Sequence, residues 1–112
     1  MTMRPTLISS LAAAANNTFP VMTIFSRPQC GLCDEAKISI ANAIKRLPKF
    51  RYSEIDILKP ENQEWFDKYA YDVPVIHFQT AENETVKKIM HKIHERDVID
   101  LVQKSIDARI LS

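Results

Sequence analysis

The sequence has 112 residues and is poor in glycine, in cysteine and in long apolar runs. Gly31 is its only glycine, which excludes a P-loop and a dinucleotide-binding fingerprint, because both place several glycines where the backbone meets phosphate. Cys30 and Cys33 are its only cysteines, too few for a disulfide-rich secreted scaffold. No apolar run reaches the roughly 18 residues that a membrane span needs, so we expect no membrane partner.

An excess of charge of either sign is also missing, since the net charge is +1. A nearly neutral chain carries no global field that attracts nucleic acid, and we expect no nucleic-acid partner. Hydrophobic residues make up 46% of the sequence and charged residues 26%, values that are usual for a folded globular domain. The length is that of one domain, which we expect to be a monomer.

The N-terminal segment, residues 1–20, has no acidic side chain, and the first acid of the chain is Asp34. This segment contains Arg4 and a mostly apolar stretch over 7–15. Three interpretations remain open for it: a mitochondrial presequence, a plain N-terminal tail and a secretory signal. We therefore place the folded domain at residues 21–112 and expect the protein in the mitochondrion or the cytoplasm.

Apolar periodicity in the remaining chain predicts alternating strands and helices. Pro48 ends the first helix, and Asp97 is the predicted N-cap of the last one. The first two strands flank a helix and should be parallel, whereas a short turn joins the last two, which should be antiparallel. The predicted fold class is α/β, a mixed four-stranded sheet in the order β-α-β-α-β-β-α. Strands are predicted over 21–26, 51–57, 73–78 and 85–90, and helices over 31–47, from Pro60 onward and over 97–110.

Cys30 and Cys33 form a Cys-x-x-Cys motif at the predicted start of the first helix. The thiolate is the reactive species in disulfide exchange, and a helix N-terminus lowers the pKa of a thiol placed there. Arg27 adds a positive charge three residues before the motif. Cys33 lies one turn into the helix, on its apolar stripe. The pattern therefore predicts an exposed, attacking Cys30 and a shielded, resolving Cys33.

Other interpretations exist for these residues and for the histidines. Two small buried hydrophobic side chains would also explain the cysteines. A zinc site would need His91 and His94, but they follow Cys33 by far more than the 12–15 residues of a zinc finger, and we assign no metal ligand. We assign no role to His77, which reads as a strand-face residue. The basic stretch 87–96 is either a solvated face or a patch for an anionic group such as a glutathione carboxylate.

Three features are similar to one known family: the strand VMTIFS, the motif Cys30-Gly-Leu-Cys33 at a helix start, and Asp72-Val73-Pro74 before the third strand. With them, residues 21–104 resemble the glutaredoxin-like branch of the thioredoxin superfamily. The resemblance implies a thioredoxin-like fold with helices on both faces of the sheet. It also implies that Pro74 is cis and that the backbone of Val73 pairs with glutathione or a substrate peptide. Arg27 matches a basic residue that binds a glutathione carboxylate.

Two positions depart from the pattern of that family. Gly31-Leu32 stands between the cysteines where Pro-Tyr or a similar pair is usual. The Gly-Gly pair that helps to seat glutathione after the fourth strand is absent near Ile93 and His94. Only the acid that follows that pair has a counterpart, Asp97. The resemblance therefore indicates a divergent subfamily.

The favoured function is a glutaredoxin-like thiol–disulfide oxidoreductase. Cys30 attacks a protein disulfide or a glutathione-mixed disulfide, and Cys33 then displaces the reduced product. Glutathione or a thioredoxin-like donor restores the dithiol, so glutathione is a co-substrate and no bound cofactor is expected. The alternative is a non-enzymatic binding module, or a carrier that shares an iron–sulfur cluster between chains through Cys30.

Overall fold

The structure is a computed structural model that describes residues 19–111. The predicted tail or presequence falls almost wholly on residues 1–18, outside the described residues. The described chain follows the predicted order of elements. The strands are β1 (Val21–Ser26), β2 (Arg51–Asp56), β3 (Val75–Gln79) and β4 (Lys87–Met90), and the helices are α1 (Gly31–Ile44), a 3₁₀ turn (Pro60–Asn62), α2 (Gln63–Tyr69) and α3 (Glu95–Leu111).

The four strands form one mixed sheet in the spatial order β2-β1-β3-β4. Strand β1 is parallel to β2 and antiparallel to β3, and β3 is antiparallel to β4. Ile24 in the middle of β1 lies between Glu54 of β2 and Ile76 of β3. The predicted parallel and antiparallel pairs are both confirmed, because a helical crossover separates the first pair and a short turn joins the second.

Alternation along the strands divides the core between the two faces of the sheet. Met22, Ile24 and Ile76 belong to a mainly aliphatic cluster, called the aliphatic cluster below. Its other members are Ala36, Ile40 and Ala43 of α1, Val98 and Val102 of α3, and Phe78 and Ile93. Phe25 and Val75 point the other way and pack with Tyr69 of α2. Helices therefore cover both faces, as predicted. Within residues 19–111 no helix is both long enough and apolar enough to span a membrane.

Helix α1 ends three residues before the end of its apolar stripe. Its last helical residue is Ile44, and the N–H of Leu47 donates to the carbonyl of Ile44 in a tighter turn. A proline disfavours helical dihedrals in the residue before it, so Pro48 prevents Leu47 from continuing the helix. Leu47 still packs against the aliphatic cluster, as its place on the stripe predicts.

The prediction that Asp97 is the N-cap of the last helix is wrong. Helix α3 begins at Glu95, which places Asp97 in its first turn. The Oδ2 atom of Asp97 accepts a hydrogen bond from the backbone N–H of His94 at 3.2 Å. An acid at the third helical position that reaches back in this way is the second half of a capping box. Asp97 does mark the start of the helix, but it lies at the third helical position and not at the N-cap.

Four strand limits also differ from the predicted ones, and one of them is the end of β3, which lies at Gln79 rather than Phe78. Strand β2 ends at Asp56 rather than Ile57, and β4 begins at Lys87 rather than Thr85. Strand β3 begins at Val75 rather than Val73. The last difference has a direct cause, because Pro74 has no N–H to donate to the sheet.

Candidate redox site

The Cys-x-x-Cys motif lies at the carboxyl end of β1. Residues 27–30 connect this strand to α1, and Cys30 is the N-cap of the helix. The register opposes Phe25 of β1 to Val75 of β3, so Pro74 comes next to the point where the connection begins. Sheet topology therefore brings together the cysteines and the segment Asp72–Pro74, which are about forty residues apart in the sequence.

Cys30 and Cys33 are joined by a disulfide, with their Cα atoms 5.2 Å apart. The backbone N–H of Cys33 donates to the Sγ atom of Cys30 at 3.1 Å. Cys30 is half-buried, whereas the exposed fraction of Cys33 is 0%. The motif therefore encloses Cys33, as predicted, and leaves Cys30 at the helix N-terminus half-buried rather than exposed.

The connection before Cys30 is tightly turned and charged. Gln29 has a φ of 57°, in the left-handed region that side chains other than glycine rarely adopt. Arg27 is exposed and forms no ion pair with another of the described residues. Its guanidinium is therefore free to meet an anionic group near the motif, although it has no fixed partner in the structure.

The Val73–Pro74 peptide bond is cis, as the resemblance implies. Pro74 is buried and Val73 is half-buried. Among residues 19–111, neither the N–H nor the C=O of Val73 has a hydrogen-bond partner. An unpaired backbone segment of this kind can pair with an incoming extended strand. The predicted binding roles of Val73 and Pro74 stay predictions.

Asp97, the remaining predicted binding residue, lies near the same end of the sheet but is already engaged. Strand β4 ends at Met90, opposite Val75, and α3 begins five residues later. The carboxylate of Asp97 holds the helix start through its bond to His94. One carboxylate oxygen thus has a structural partner, and a role in binding glutathione stays a prediction.

A polar network that the sequence did not indicate lies beside the first turns of α1. The buried hydroxyl of Ser26 donates to Glu54 Oε2 at 2.9 Å. Lys37, one turn after Cys33, forms an ion pair with the same oxygen at 2.6 Å. The hydrogen bond from Lys37, together with that from Ser26 and the lysine charge, outweighs burial and lowers the pKa of Glu54. The network joins β1, β2 and α1 immediately behind the motif.

His77 was assigned no role, yet it makes the shortest polar contact on the α2 face. Its Nε2 atom lies 2.7 Å from the hydroxyl of Tyr69, a residue that is only 2% exposed. Phe25 and Trp65 pack against the edges of the imidazole. Burial, then the charges of Lys88 and Lys68, lower the pKa of His77 to about 4. Sequence spacing could not pair side chains from a helix and a separate strand.

Four of the large apolar side chains that remain exposed lie at the end of the sheet that carries the motif. Leu32 stands between the cysteines and is 43% exposed. Leu58 follows β2, Tyr71 lies two residues before Val73, and Met90 is the last residue of β4. We call these four side chains the apolar rim. Exposed apolar side chains that share one end of a small domain can contact another molecule there.

Metal ligation finds no support in the arrangement of the described residues. Across positions 19–111 no three His, Cys, Asp or Glu side chains come close enough together to hold a metal ion. His91 contacts Asp72 at 3.1 Å, and both His91 and His94 are exposed. The basic side chains of the stretch 87–96 are all exposed as well.

Known proteins similar to this chain include one family and several solved structures. The family model of the glutaredoxin-like domain (DUF836) matches residues 21–103. A curated relative, the glutaredoxin-like protein YDR286C homolog of Dictyostelium discoideum, is 42% identical over 64 residues. That alignment covers 53% of this chain and 59% of the relative, so less than two thirds of the relative is represented here.

Solved structures that resemble the chain include several thioredoxins. Oxidised thioredoxin O1 of Arabidopsis thaliana has a TM-score of 0.64 at 17% identity and covers 94% of both chains. Oxidised mitochondrial thioredoxin 3 of Saccharomyces cerevisiae has a TM-score of 0.62 at 12% identity, over 87% of this chain and 89% of that one. Identities this low show the fold, which is that of thioredoxin. The match over residues 21–103 shows the family: the chain belongs to the glutaredoxin-like domain family (DUF836).

Proposed function

We propose that the protein is a thiol–disulfide oxidoreductase in which Cys30 is the nucleophile and Cys33 the resolving thiol. The observation that carries the proposal is the unequal placement of the two sulfurs. Cys30 is half-buried at the N-cap, where it accepts an N–H, and Cys33 is fully enclosed. Helix N-terminal N–H groups stabilise a thiolate, and an accessible thiolate is what attacks a disulfide.

The reaction balances as two exchanges. In the first, the Cys30 thiolate forms a bond to one sulfur of the substrate disulfide, and the other substrate sulfur leaves as a thiolate that takes up a proton. In the second, Cys33 loses its proton and attacks the Cys30 sulfur, which releases the second substrate thiol. The substrate gains two electrons and the Cys30–Cys33 disulfide forms. A thiol reductant, glutathione or a thioredoxin-like dithiol, returns the pair to its reduced form.

A protein disulfide is the substrate class that we propose first. The apolar rim and the unpaired backbone of Val73 support it. An extended polypeptide can form hydrogen bonds with the backbone of Val73 and bury its side chains against the apolar rim. Glutathione is proposed as co-substrate, with a carboxylate near Arg27 and its ammonium group near Asp97. Arg27 supports this role because its side chain is exposed and near the motif.

Single cysteine variants test the proposed roles. With a protein disulfide as substrate, Cys30→Ser should abolish reduction, since no thiolate remains to attack. Cys33→Ser should keep the first exchange and accumulate a covalent mixed disulfide, visible as an added mass under non-reducing conditions. Gly31→Ala is a matched control, because a Cβ at Gly31 meets nothing within 4 Å. Equal residual activity in both cysteine variants would refute the assigned roles.

The choice between protein and glutathione substrates needs a second comparison. Leu32→Ser should raise KM for the protein disulfide and leave KM for a glutathione-mixed disulfide nearly unchanged. Arg27→Ala should raise KM for the glutathione-mixed disulfide and leave KM for the protein disulfide nearly unchanged, because it removes a charge that a glutathione carboxylate would meet. A cluster carrier, the alternative function, would instead show charge-transfer bands in the visible spectrum after anaerobic purification.

Location and assembly are proposed from the sequence. We propose a mitochondrial location from the acid-poor composition of residues 1–20, and a monomer from the single-domain length. A fluorescent fusion to the full chain should localise to mitochondria and lose that location when residues 1–20 are deleted. Sedimentation equilibrium should return the mass of one chain.

A further inference from the structure

His91 contacts the segment Asp72–Pro74 at two points, one on either side of Val73. Its backbone N–H donates to the carbonyl of Pro74 at 2.8 Å. Its Nε2 atom lies 3.1 Å from Oδ1 of Asp72. A carboxylate only accepts, so the imidazole N–H is the donor. One residue at the end of β4 thus holds the two neighbours of the unpaired Val73.

The backbone of His91 is in an unfavourable conformation. Its φ is 68°, in the left-handed region that residues other than glycine uncommonly adopt. The chain keeps histidine at a position where glycine would fit without strain. The side chain supplies what glycine could not, which is the donor to Asp72. This pairing of backbone strain with a specific side-chain contact points to a role for the imidazole.

We propose that His91 is a positioning residue, which orders Asp72, Val73 and Pro74 so that the backbone of Val73 can pair with an extended substrate strand. The inference rests on the proposed function and deepens it, since it names the residue that prepares the strand-pairing edge. His91 does not touch the sulfurs in this account. Its removal therefore affects the binding of a polypeptide substrate and not the exchange steps at Cys30.

Two variants separate the backbone of His91 from its side chain. His91→Gly keeps the left-handed turn and the N–H bond to Pro74, but it removes the donor to Asp72. An exposed ion pair contributes at most about 1 kcal/mol, so we expect KM for a protein disulfide to rise by up to about five-fold, with kcat unchanged. Thermal stability should stay level or rise, because glycine relieves the strained φ.

The partner side of the contact gives an independent check. Asp72→Ala should raise KM as much as His91→Gly does, and the double variant should raise it no further, because both changes break one interaction. Asp72→Asn keeps an oxygen acceptor and should restore most of the wild-type KM. Glu82→Gly is the control: it places glycine in an exposed turn at the opposite end of the sheet, and it should change neither KM nor kcat.

Nuclear magnetic relaxation of the Val73 amide provides a readout that needs no activity. We expect increased motion of this amide in His91→Gly and Asp72→Ala, and wild-type motion in Glu82→Gly. Wild-type KM and wild-type relaxation in His91→Gly would overturn the positioning role and leave the oxidoreductase proposal standing. Full activity in Cys30→Ser would overturn the proposed function, while the relaxation data would still decide whether His91 orders this segment.

Discussion

The two faces of the sheet are stabilised by different chemistry. The face under α1 and α3 is filled by side chains such as Met22, Ile24 and Phe78, all with an exposed fraction of 0%. The face under α2 holds an aromatic cluster in which Tyr69 is hydrogen-bonded to His77. The buried cluster of the first face is held by close apolar packing, with the Lys37–Glu54 ion pair outside it, whereas the buried cluster of the second face includes a hydrogen bond to a titratable imidazole.

This difference separates the response to volume changes from the response to pH. Loss of apolar volume under α1 and α3 should destabilise the protein equally at every pH, because the buried cluster there has no titratable member. Changes under α2 should act through His77 and depend on pH. The candidate site draws on both faces, since Cys33 lies on the inner side of α1 while Pro74 precedes the strand that carries His77.

The largest expected effect comes from a cavity on the aliphatic face. Ile24→Ala should lower the free energy of unfolding by about 3 kcal/mol, because the side chain of Ile24 is fully buried in the core cluster. Urea unfolding at pH 7 and at pH 5 should give the same loss. Ile24→Val, which removes one methylene, should cost about 1 kcal/mol at both pH values. A loss that depends strongly on pH would break the contrast between the faces.

The pH dependence of the wild type is the next largest effect. The pKa of His77 is lowered from 6.5 to about 4 in the folded protein. Between pH 6.5 and pH 4 the imidazole is therefore protonated in the unfolded chain and neutral in the folded one. Stability from this group is therefore complete above pH 6.5 and is lost as the pH falls toward 4. For a half-buried ring we expect a loss of the order of 2 kcal/mol, measured by urea unfolding across this range.

His77→Gln supplies the control for that measurement. Glutamine keeps a group that can hydrogen-bond to Tyr69 but does not titrate. The decline of stability between pH 6.5 and pH 4 should be smaller in the variant by the contribution of His77. An unchanged decline would assign the pH dependence to the carboxylates and remove His77 from the account.

The smallest expected effect comes from the hydroxyl of Tyr69. Tyr69→Phe keeps the ring that packs on Phe25 and Trp65 but removes the partner of His77, and it should cost about 1 kcal/mol at pH 7. The matched Ile24→Val change costs a similar amount on the other face. The two variants should differ in their response to pH. When the titration of His77 is followed by nuclear magnetic resonance, only Tyr69→Phe should change it.

Most of the fold follows from local patterns in the sequence. The β-branched and aromatic run of β1 and the apolar spacing of α1 depend on neighbours along the chain, and both elements were confirmed. The limits of the helices were less accurate, because they depend on a single residue. Pro48 shortened α1 by acting on Leu47, and Asp97 serves the start of α3 from inside the helix.

The site was only partly predictable, because some of its contacts join segments that are distant in the sequence. Cys30 at the helix start and Cys33 one turn later are local features, and their placement agrees with the prediction. His77 contacts Tyr69 and His91 contacts Asp72, each pair from separate parts of the fold. No periodicity in the sequence predicts such pairs. The register of the sheet creates these pairs, and register becomes known only when the strands are assembled.

Thiolate absorbance of the reduced protein, followed as a function of pH, tests the central claim most directly. Wild type and Cys33→Ser should show a thiolate that forms below the value of an ordinary cysteine, about 8.5, because the helix N-terminus stabilises the Cys30 anion. Cys30→Ser should lack this low-pH transition, since the enclosed Cys33 thiol remains protonated there. Titration of Cys30 at the value of an ordinary cysteine, or persistence of the low-pH transition in Cys30→Ser, would contradict the account.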